Sequence, residues 1–474
     1  MFVHIVTMCE RSGFMDIVLL SRWQFAITTI YHFLFVPVTL GLTLFLALLE
    51  TCYVTTKRAH WKEPCRKLLK FFGAIFLVNF AMGVVTGIVQ EFHFGMNWSE
   101  YSRFMGDIFG APLALEALTA FFLESTFIGI WVFGWDKLPE KLHCACIWLV
   151  AIGSNLSAFW ILIANSFMQH PVGYAIENGR AIMTDFMALI TNPYVIGEMS
   201  HTLFSGIATA GFVLLIICCW KYAVDDASRE VFLQALKAVS IYLIIGIMGA
   251  MGTGHVHTQY LAEAQPMKLS SMEALWETED PAPFAIVADI NQEKRQNDTE
   301  ITIPGMFSFM LYNKPEGAVQ GINQLQAAAE QQYGAGNYIP DVTGLFWCFR
   351  LMIACGGAIA GLAFLIGGLA WVKQDWLLKY KYLLALTPFL LPLPFLANSA
   401  GWFIAEAGRQ PWIVVGLQKT ADAVSPNLTP GEVFITMSGF TIVYLILAII
   451  AFYVICRIIH QTTIDTANDE GRAL

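Results

Sequence analysis

Nine apolar runs, each about 20 residues long or more, dominate this 474-residue chain. A run of that length crosses the hydrocarbon core of a bilayer as a helix. The composition agrees, because 13% of the residues are charged, against about 25% in soluble domains. The sequence therefore predicts an all-α polytopic membrane protein with one transmembrane domain over residues 1–474. The predicted helices are 25–52, 70–90, 111–134, 143–168, 198–220, 236–253, 345–372, 381–405 and 432–456.

The basic residues predict the orientation of this bundle. Most of the 27 Lys and Arg residues lie around the loops that follow helices one, three, five and seven, or in the C-terminal tail. Because such residues collect on the cytoplasmic side, we expect the N-terminus outside and Leu474 inside. Residues 1–14 lack an apolar stretch followed by a small-residue cleavage site, so we expect no signal peptide, and Met15 is an alternative start.

One polar segment, residues 254–341, separates the sixth and seventh runs and is expected on the outer side. Loops this long are usually functional or disordered. Lys268 and Glu273 stand about 140° apart on a helix here, and a solvated charge pair is their simpler interpretation. The acidic excess behind the net charge of -9 lies mostly in this segment, so the charge indicates no nucleic-acid partner.

A few side chains within or at the ends of the apolar runs can titrate or bind a metal. They are His32, Glu116, Glu124, His201, Met352 and Glu406. An unpaired charge at membrane depth costs roughly 2.5–3.5 kcal/mol on insertion scales, so such residues usually mark function. Histidines, a thioether and carboxylates suit haem ligation and proton relay better than solute binding. The ten cysteines form no CxxCH motif, so any haem is expected to be held noncovalently.

The predicted depths place five candidate iron ligands, from five different helices, in one layer near the outer side. His32, Glu116, His201 and Met352 each lie a few residues to two turns inside a run that begins outside, and Glu406 closes the eighth run. A neutral imidazole opposite a thioether satisfies low-spin haem iron, which is our interpretation of His201 with Met352. Taken alone, Met352 is more simply a packing residue.

Two carboxyls on the third run suggest a proton route. Glu124 lies eight residues beyond Glu116, which makes it about 12 Å deeper and about 80° around the helix. A buried carboxyl can carry a proton in place of a charge, and helix packing is the alternative role for Glu124. Arg350 and Arg409 lie near the candidate ligands, where either haem propionates or an acidic residue such as Glu198 would satisfy them.

Five longer stretches can be compared with known families. They are SRWQFAITTIYHFLFVP (21–37), QEFHFGMNWSEYSRFMGDIFGAPLALEALTAFFLEST (90–126), GSNLSAFWILIANSFMQHP (153–171), FRLMIACG (349–356) and GWFIAEAGRQPW (401–412). Together they resemble subunit I of cytochrome bd-type quinol oxidases, in the form with a short quinol loop. The resemblance runs in order along essentially the whole chain.

This resemblance implies roles by position. His201 and Met352 correspond to the axial ligands of a low-spin haem b. His32 and Glu406 correspond to ligands within a high-spin haem b and haem d pair, in an order that stays open. The other implied site residues are Arg350 beside the low-spin haem, Glu116 next to the haem pair and a further candidate iron ligand, Glu124 in the proton path, Lys268 and Glu273 in the quinol loop, Trp402 between haems, and Arg409 of the GRQPW motif.

The resemblance also implies a function. The chain would bind two haems b and one haem d in a prokaryotic plasma membrane, oxidise quinol at the outer loop and reduce dioxygen to water. It would generate a proton motive force by proton uptake from inside, without pumping. Partners would be a second polytopic subunit and small single-helix subunits. Asn398 and Ser399 stand where many members carry a carboxylate, so proton loading there is expected to differ in detail.

Two rival functions fit some of the same residues. A proton-coupled transporter would also bury Glu and His, but it predicts inverted repeats, and the sequence shows none. A dihaem cytochrome b would exchange electrons with quinone without reducing oxygen. It would place His pairs on facing helices, whereas only two His lie well inside the runs of this chain.

Overall fold

A computed structural model describes residues 16–464, so the predictions for residues 1–14, Met15 and Leu474 lie outside the described part. Within residues 16–464, nine helical spans are long and apolar enough to cross a membrane. They are Ile17–Thr55, His60–Met96, Ser99–Phe133, Glu140–Gln169, Phe186–Val224, Arg229–Ala264, Val342–Val372, Thr387–Ala407 and Pro430–Gln461. Each overlaps one predicted run, which confirms the all-α polytopic fold.

Most spans are single helices, and a few are assembled from shorter ones. The helices are α1 (Ile17–Phe33), α2 (Val36–Thr55), α3 (Ala59–Met96), α4 (Ser99–Leu115), α5 (Phe122–Phe133), α6 (Glu140–Gln169), α7 (Phe186–Ile190), α8 (Pro193–Val224), α9 (Arg229–Ala264), α10 (Pro266–Glu273), α11 (Met306–Tyr312), α12 (Ile322–Tyr333), α13 (Val342–Val372), α14 (Gln374–Lys379), α15 (Lys381–Leu384), α16 (Pro392–Ala407) and α17 (Pro430–Gln461). Three antiparallel hairpins pair β1 (Tyr174–Glu177) with β2 (Arg180–Met183), β3 (Phe284–Asn291) with β4 (Gln296–Ile303), and β5 (Trp412–Val414) with β6 (Gln418–Lys419).

Several predicted boundaries were wrong, since the second, third and fifth spans begin 10 to 12 residues earlier than predicted, and two others show why. The sixth helix continues to Ala264, so residues 254–264 belong to α9 rather than to a loop. The Thr258 hydroxyl is satisfied within this polar end of the helix, since it donates to the Gly254 carbonyl. The eighth span begins at Thr387 rather than at 381, because the prolines of this stretch lack the backbone donor that a helix interior requires, and Pro392 opens α16 at a position where none is needed.

Proline also interrupts the first and third spans. Pro37 sits at the start of α2, just after the turn that separates it from α1. In the third span Pro112 is followed by a π-helix at Glu116–Phe121, which joins α4 to α5. The predicted angle of about 80° between Glu116 and Glu124 assumed a regular α-helix, so it does not apply here. Short π-helical turns often occur at functional sites.

The bundle is held by close helix packing at its centre. Helices α8 and α9 pair along much of their length, and α8 also packs on α2. Small residues permit the close approach, since a Cβ on Gly246 of α9 would lie 2.6 Å from the Ala208 nitrogen of α8. Residues 265–341 form an ordered cap of α10, the β3–β4 hairpin, α11 and α12. We call this segment the loop cap and the end of the bundle beneath it the loop face.

A buried polar cluster lies near the opposite end of the bundle. The Trp131 indole donates to Oε2 of Glu50 at 2.7 Å, and Nδ1 of His143 lies 2.5 Å from Oε1 of the same carboxyl. The other His143 nitrogen lies 2.8 Å from the Trp131 carbonyl oxygen. These contacts join α2, α5 and α6, and the sequence patterns did not predict them.

Candidate functional site

His32 is held on α1 with one ring nitrogen left for a ligand. Its Nδ1 lies 2.9 Å from Oγ1 of Thr86, whose hydroxyl donates to the Met82 carbonyl. The threonine oxygen therefore accepts from Nδ1–H, which leaves the Nε2 lone pair available. Gly87 adjoins the ring, and a Cβ there would lie 3.0 Å from Cε1 of His32.

His201 on α8 also keeps one ring nitrogen free for a ligand, and both His201 and Met352 on α13 adjoin a glycine. Nδ1 of His201 lies 3.0 Å from the Ala250 carbonyl oxygen, so Nδ1 carries the proton and Nε2 keeps its lone pair. A Cβ on Gly254 would lie 3.0 Å from the His201 ring, and one on Gly401 would lie 3.7 Å from the Met352 sulfur. Counted from Pro193 and Val342, His201 and Met352 lie about 12 and 15 Å from the loop face.

Glu406 ends α16 in a pair with Arg409. Oε1 of Glu406 accepts from Nδ2 of Asn165 at 3.0 Å and from Nη1 of Arg409 at 2.9 Å, and Nη2 of Arg409 contacts Oε2. One turn earlier, Trp402 packs edge-to-face on Phe33, with ring centroids 5.3 Å apart. Because Phe33 follows His32, this contact ties the helix that carries His32 to the helix that carries Glu406.

The two arginines pair with acidic residues, but neither pairs with Glu198. Arg409 takes Glu406, and Nη2 of Arg350 donates to Oε2 of Glu273 at 2.6 Å. Glu198 instead accepts from the Ser166 hydroxyl at 2.7 Å. Spacing alone could not identify the partner of Arg350, because Glu273 is separated from it by most of the loop cap, whereas Glu406 and Arg409 stand three residues apart.

Lys268 of the loop cap is buried under α6. It is 2% exposed, and its Nζ donates to Oε1 of Gln169 at 2.7 Å. Burial lowers the pKa of Lys268, the Arg409 guanidinium lowers it further, and nearby carboxylates oppose both. The interpretation of Lys268 and Glu273 as a solvated charge pair is therefore wrong, since Glu273 is buried as well.

Glu273 and Arg350 fasten the loop cap to α13. Besides the ion pair, Nη1 of Arg350 donates to the Met272 carbonyl at 2.5 Å, and its Nε donates to the Ala285 carbonyl at 3.0 Å. The guanidinium lies 3.7 Å from the centroid of the Phe346 ring. Burial raises the pKa of Glu273 to about 7, although Arg350 opposes the shift. Lys268 and Glu273 thus contact different helices and not each other.

Both carboxyls of the third span face α6. The Ser157 hydroxyl donates to Oε1 of Glu116 at 2.7 Å. Glu124 is 5% exposed and packs so closely on α6 that a Cβ on Gly153 would lie 2.9 Å from its Cγ. A single helix thus lies against both proposed relay groups.

Sequence reasoning missed several polar partners in this region. Asn165, Gln169 and Ser157 on α6 and Tyr194 on α8 contact the predicted site residues through their side chains. A signal for two of them was present, because Asn165 and Gln169 are polar, stand four apart in an apolar run and so share one helix face.

These donors suit haem iron. An imidazole with its other nitrogen engaged, a thioether and a carboxylate held by hydrogen bonds are ligands that haem iron accepts. Residues 20–463 match the sequence profile described as cytochrome bd terminal oxidase subunit I. The chain belongs to this family. As a cytochrome bd subunit I, it is a haem protein of a membrane and a subunit of a terminal quinol oxidase.

Individual relatives agree with the family. The chain is 46% identical over 449 residues to cytochrome bd ubiquinol oxidase subunit 1 of Bacillus subtilis (strain 168), which covers 94% of this chain and 93% of the relative. It is 37% identical over 476 residues to cytochrome bd-II ubiquinol oxidase subunit 1 of Escherichia coli (strain K12), covering 88% and 91%. The bd oxidase structure from Geobacillus thermodenitrificans superposes with a TM-score of 0.85 at 27% identity, covering 95% of this chain and 99% of that one.

Membership in the cytochrome bd subunit I family decides between the rival functions. A proton-coupled transporter and a dihaem cytochrome b without oxygen chemistry are both excluded, because the family consists of terminal quinol oxidases. Cytochrome bd oxidases generally pair subunit I with a subunit II. The exposed apolar side chains on α5 and α17 are compatible with contact to lipid or to such a subunit.

Proposed function

We propose that this subunit oxidises membrane quinol under the loop cap and reduces dioxygen to water at a centre held by His32 and Glu406. Two haems b and one haem d would supply the one-electron transfer and the oxygen chemistry. The single observation that carries the proposal is the Glu273–Arg350 ion pair, because it fastens the loop cap to α13 two residues from Met352. A proton acceptor for quinol would thereby adjoin the helix that carries Met352, a proposed ligand of the haem that receives the electrons of quinol.

The ligands divide into two groups. His201 and Met352 would hold the low-spin haem b near the loop cap. His32 and Glu406 would hold the high-spin haem b and haem d, in an order that we leave open, with Glu116 beside that centre as a further candidate ligand. In this arrangement Trp402 and Phe33 pack between the elements that carry the two ligands of the second group.

Polar side chains of this chain would handle the protons and the charge. Glu273 would accept a proton from quinol, and Lys268 would orient a quinol oxygen as a hydrogen-bond donor. Arg350 would hold Glu273 in place beside the low-spin haem. Arg409 would balance the charge of Glu406 and of haem propionates. Glu124 would carry protons from the face opposite the loop cap towards Glu116.

The membrane setting follows from the same assignment. With the loop cap on the outer side of a bacterial plasma membrane, quinol protons would leave outside while oxygen reduction would draw protons from inside. Charge would thus cross the membrane without a pump. We propose a second polytopic subunit, subunit II, as the obligate partner, with small single-helix subunits as further partners.

Replacing Glu273 with alanine tests the quinol site. Quinol-driven oxygen uptake should fall about 100-fold or more, the lower range for loss of a general acid–base group. Oxygen uptake driven by an artificial electron donor should persist, because the haem ligands remain. Glu277→Gln is the matched control, since Glu277 lies exposed in the same loop cap and bonds Asn323 and Gln324. Unchanged quinol kinetics in Glu273→Ala would remove the loop cap from the site.

The pH dependence gives the same residue a second readout. The Glu273 pKa of about 7 means that the ionised form, which accepts a proton, appears as pH rises through that value. Quinol-driven rates should therefore rise between about pH 6 and 8. Glu273→Gln should lose this limb of the pH profile, whereas Glu277→Gln should retain it.

A further inference from the structure

A chain of three hydrogen bonds joins Lys268 in the loop cap to Glu406 at the end of α16. Nζ of Lys268 donates to Oε1 of Gln169 at 2.7 Å, and Nε2 of Gln169 donates to Oδ1 of Asn165 at 3.2 Å. Nδ2 of Asn165 then donates to Oε1 of Glu406 at 3.0 Å. Every link donates in the same direction, from an ammonium group to a carboxylate.

The direction of these three hydrogen bonds is fixed by the groups around Gln169. Lys268 can only donate, and Gln265 also directs its Nε2 at Oε1 of Gln169, at 3.0 Å. The Ala405 carbonyl, which can only accept, lies 3.2 Å from Nε2 of Gln169. Turning the Gln169 amide over would set two donors against its nitrogen and a carbonyl against its oxygen. The polarity is therefore a property of the fold.

Burial makes the hydrogen bonds of Gln169 sensitive to a change at Lys268. Gln169 is 0% exposed, and Lys268 and Gln265 are buried beside it. In such surroundings aligned hydrogen bonds strengthen one another, and a buried group that loses its partner costs about 1–3 kcal/mol. Asn165 and Gln169 are one helical turn apart on α6, so the two amides move with one rigid element.

We propose that Gln169 and Asn165 are positioning residues that transmit the state of the loop cap to Glu406. When Lys268 turns towards a bound quinol, Oε1 of Gln169 loses its charged donor and keeps only the neutral amide of Gln265, so Gln169 polarises the next hydrogen bond less strongly. Asn165 then holds Oε1 of Glu406 less firmly, and Arg409 remains as the other donor to that oxygen. A carboxylate with fewer donors is a stronger electron donor to a metal. Quinol binding would thus adjust the oxygen-reducing centre through α6, which deepens the proposed function and rests on the ligand role of Glu406.

Redox titration of the assembled enzyme tests this proposal. In Gln169→Leu and in Asn165→Leu the midpoint potential of the high-spin haems should shift to lower values, because a stronger carboxylate donor favours ferric iron. The potential of the low-spin haem should stay at its wild-type value. Asn155→Leu on the same helix is the matched control, since the Asn155 amide donates to the Ala151 carbonyl of its own helix. This variant should shift neither potential.

A double-mutant comparison separates transmission from a local effect. Lys268→Met should shift the high-spin potential in the wild-type background and cause no further shift in Asn165→Leu, because the link is already broken. Equal shifts in both backgrounds would overturn the proposal. Asn165→Ser, a smaller change at a half-buried position, provides the same comparison if the leucine variant does not assemble.

The proposed ligand role can fail separately. If Glu406→Gln changes the high-spin bands and potentials while Gln169→Leu and Asn165→Leu match the wild type, the proposed transmission through Gln169 and Asn165 is wrong. The assignment of Glu406 as a ligand then stands. If Glu406→Gln itself retains every wild-type band and potential, Glu406 does not bind iron, and both proposals are overturned.

Discussion

Replacing Met352 with leucine is expected to abolish the low-spin haem signal and, with it, electron entry from quinol. Leucine conserves the volume and costs below about 1.5 kcal/mol in a core, so the fold should survive. The iron would lose its thioether ligand while His201 stays anchored to the Ala250 carbonyl. Loss of groups that only support a metal ligand costs about 10–100-fold, so loss of the ligand itself should reduce quinol-driven turnover by more than that.

The reduced-minus-oxidised spectrum measures the effect of Met352→Leu directly. The low-spin band should disappear while the bands of the high-spin haems remain. Met248→Leu is the control, because this substitution makes the same chemical change at a half-exposed position on α9. An intact low-spin band in Met352→Leu would return Met352 to a packing role.

Glu124→Gln is expected to stop the proton-dependent steps of oxygen reduction while electrons still enter from quinol. Glutamine keeps the size and the hydrogen-bonding capacity at this buried position against Gly153, but it cannot release a proton. Turnover should fall about 100-fold or more. A liposome that contains the enzyme should charge correspondingly slowly.

Two further variants delimit the role of Glu124. Glu124→Asp keeps the acid with a shorter reach and should retain more activity than Glu124→Gln. Glu140→Gln, at an exposed ion pair with Lys62, should behave like the wild type. If Glu124→Gln reduces oxygen and builds a potential at the wild-type rate, the proton route does not pass through Glu124, and its role is helix packing.

Bilayer thickness explains why the spans were predictable. Nine apolar runs sufficed to place nine helical spans within residues 16–464, since lipid requires a continuous apolar helix of a set length. The helix ends were less predictable, because α9 continues through polar residues to Ala264 and prolines delay α16. The π-helix at Glu116–Phe121 also escaped prediction, since periodicity arguments assume a regular helix.

The candidate site was predictable only as a set of residues. The cost of burying His or Glu in a membrane identified the candidates, and the resemblance assigned them roles. Their hydrogen-bond partners come from distant parts of the chain, as when Asn165 meets Glu406 or Arg350 meets Glu273. Local patterns carry no information about such pairings. Of these partners, Asn165 and Gln169 had a local signal, which is their shared polar face on α6.

The optical spectrum of the purified two-subunit complex tests whether His32 and Glu406 hold a haem b and haem d centre. We expect b-type bands together with a red-shifted chlorin band in the reduced-minus-oxidised spectrum, because these two residues would hold the high-spin haem b and haem d. Weakening of the chlorin band in a His32 or Glu406 variant would link it to this site. A spectrum with b-type bands alone, or with no haem bands, would contradict the proposed function.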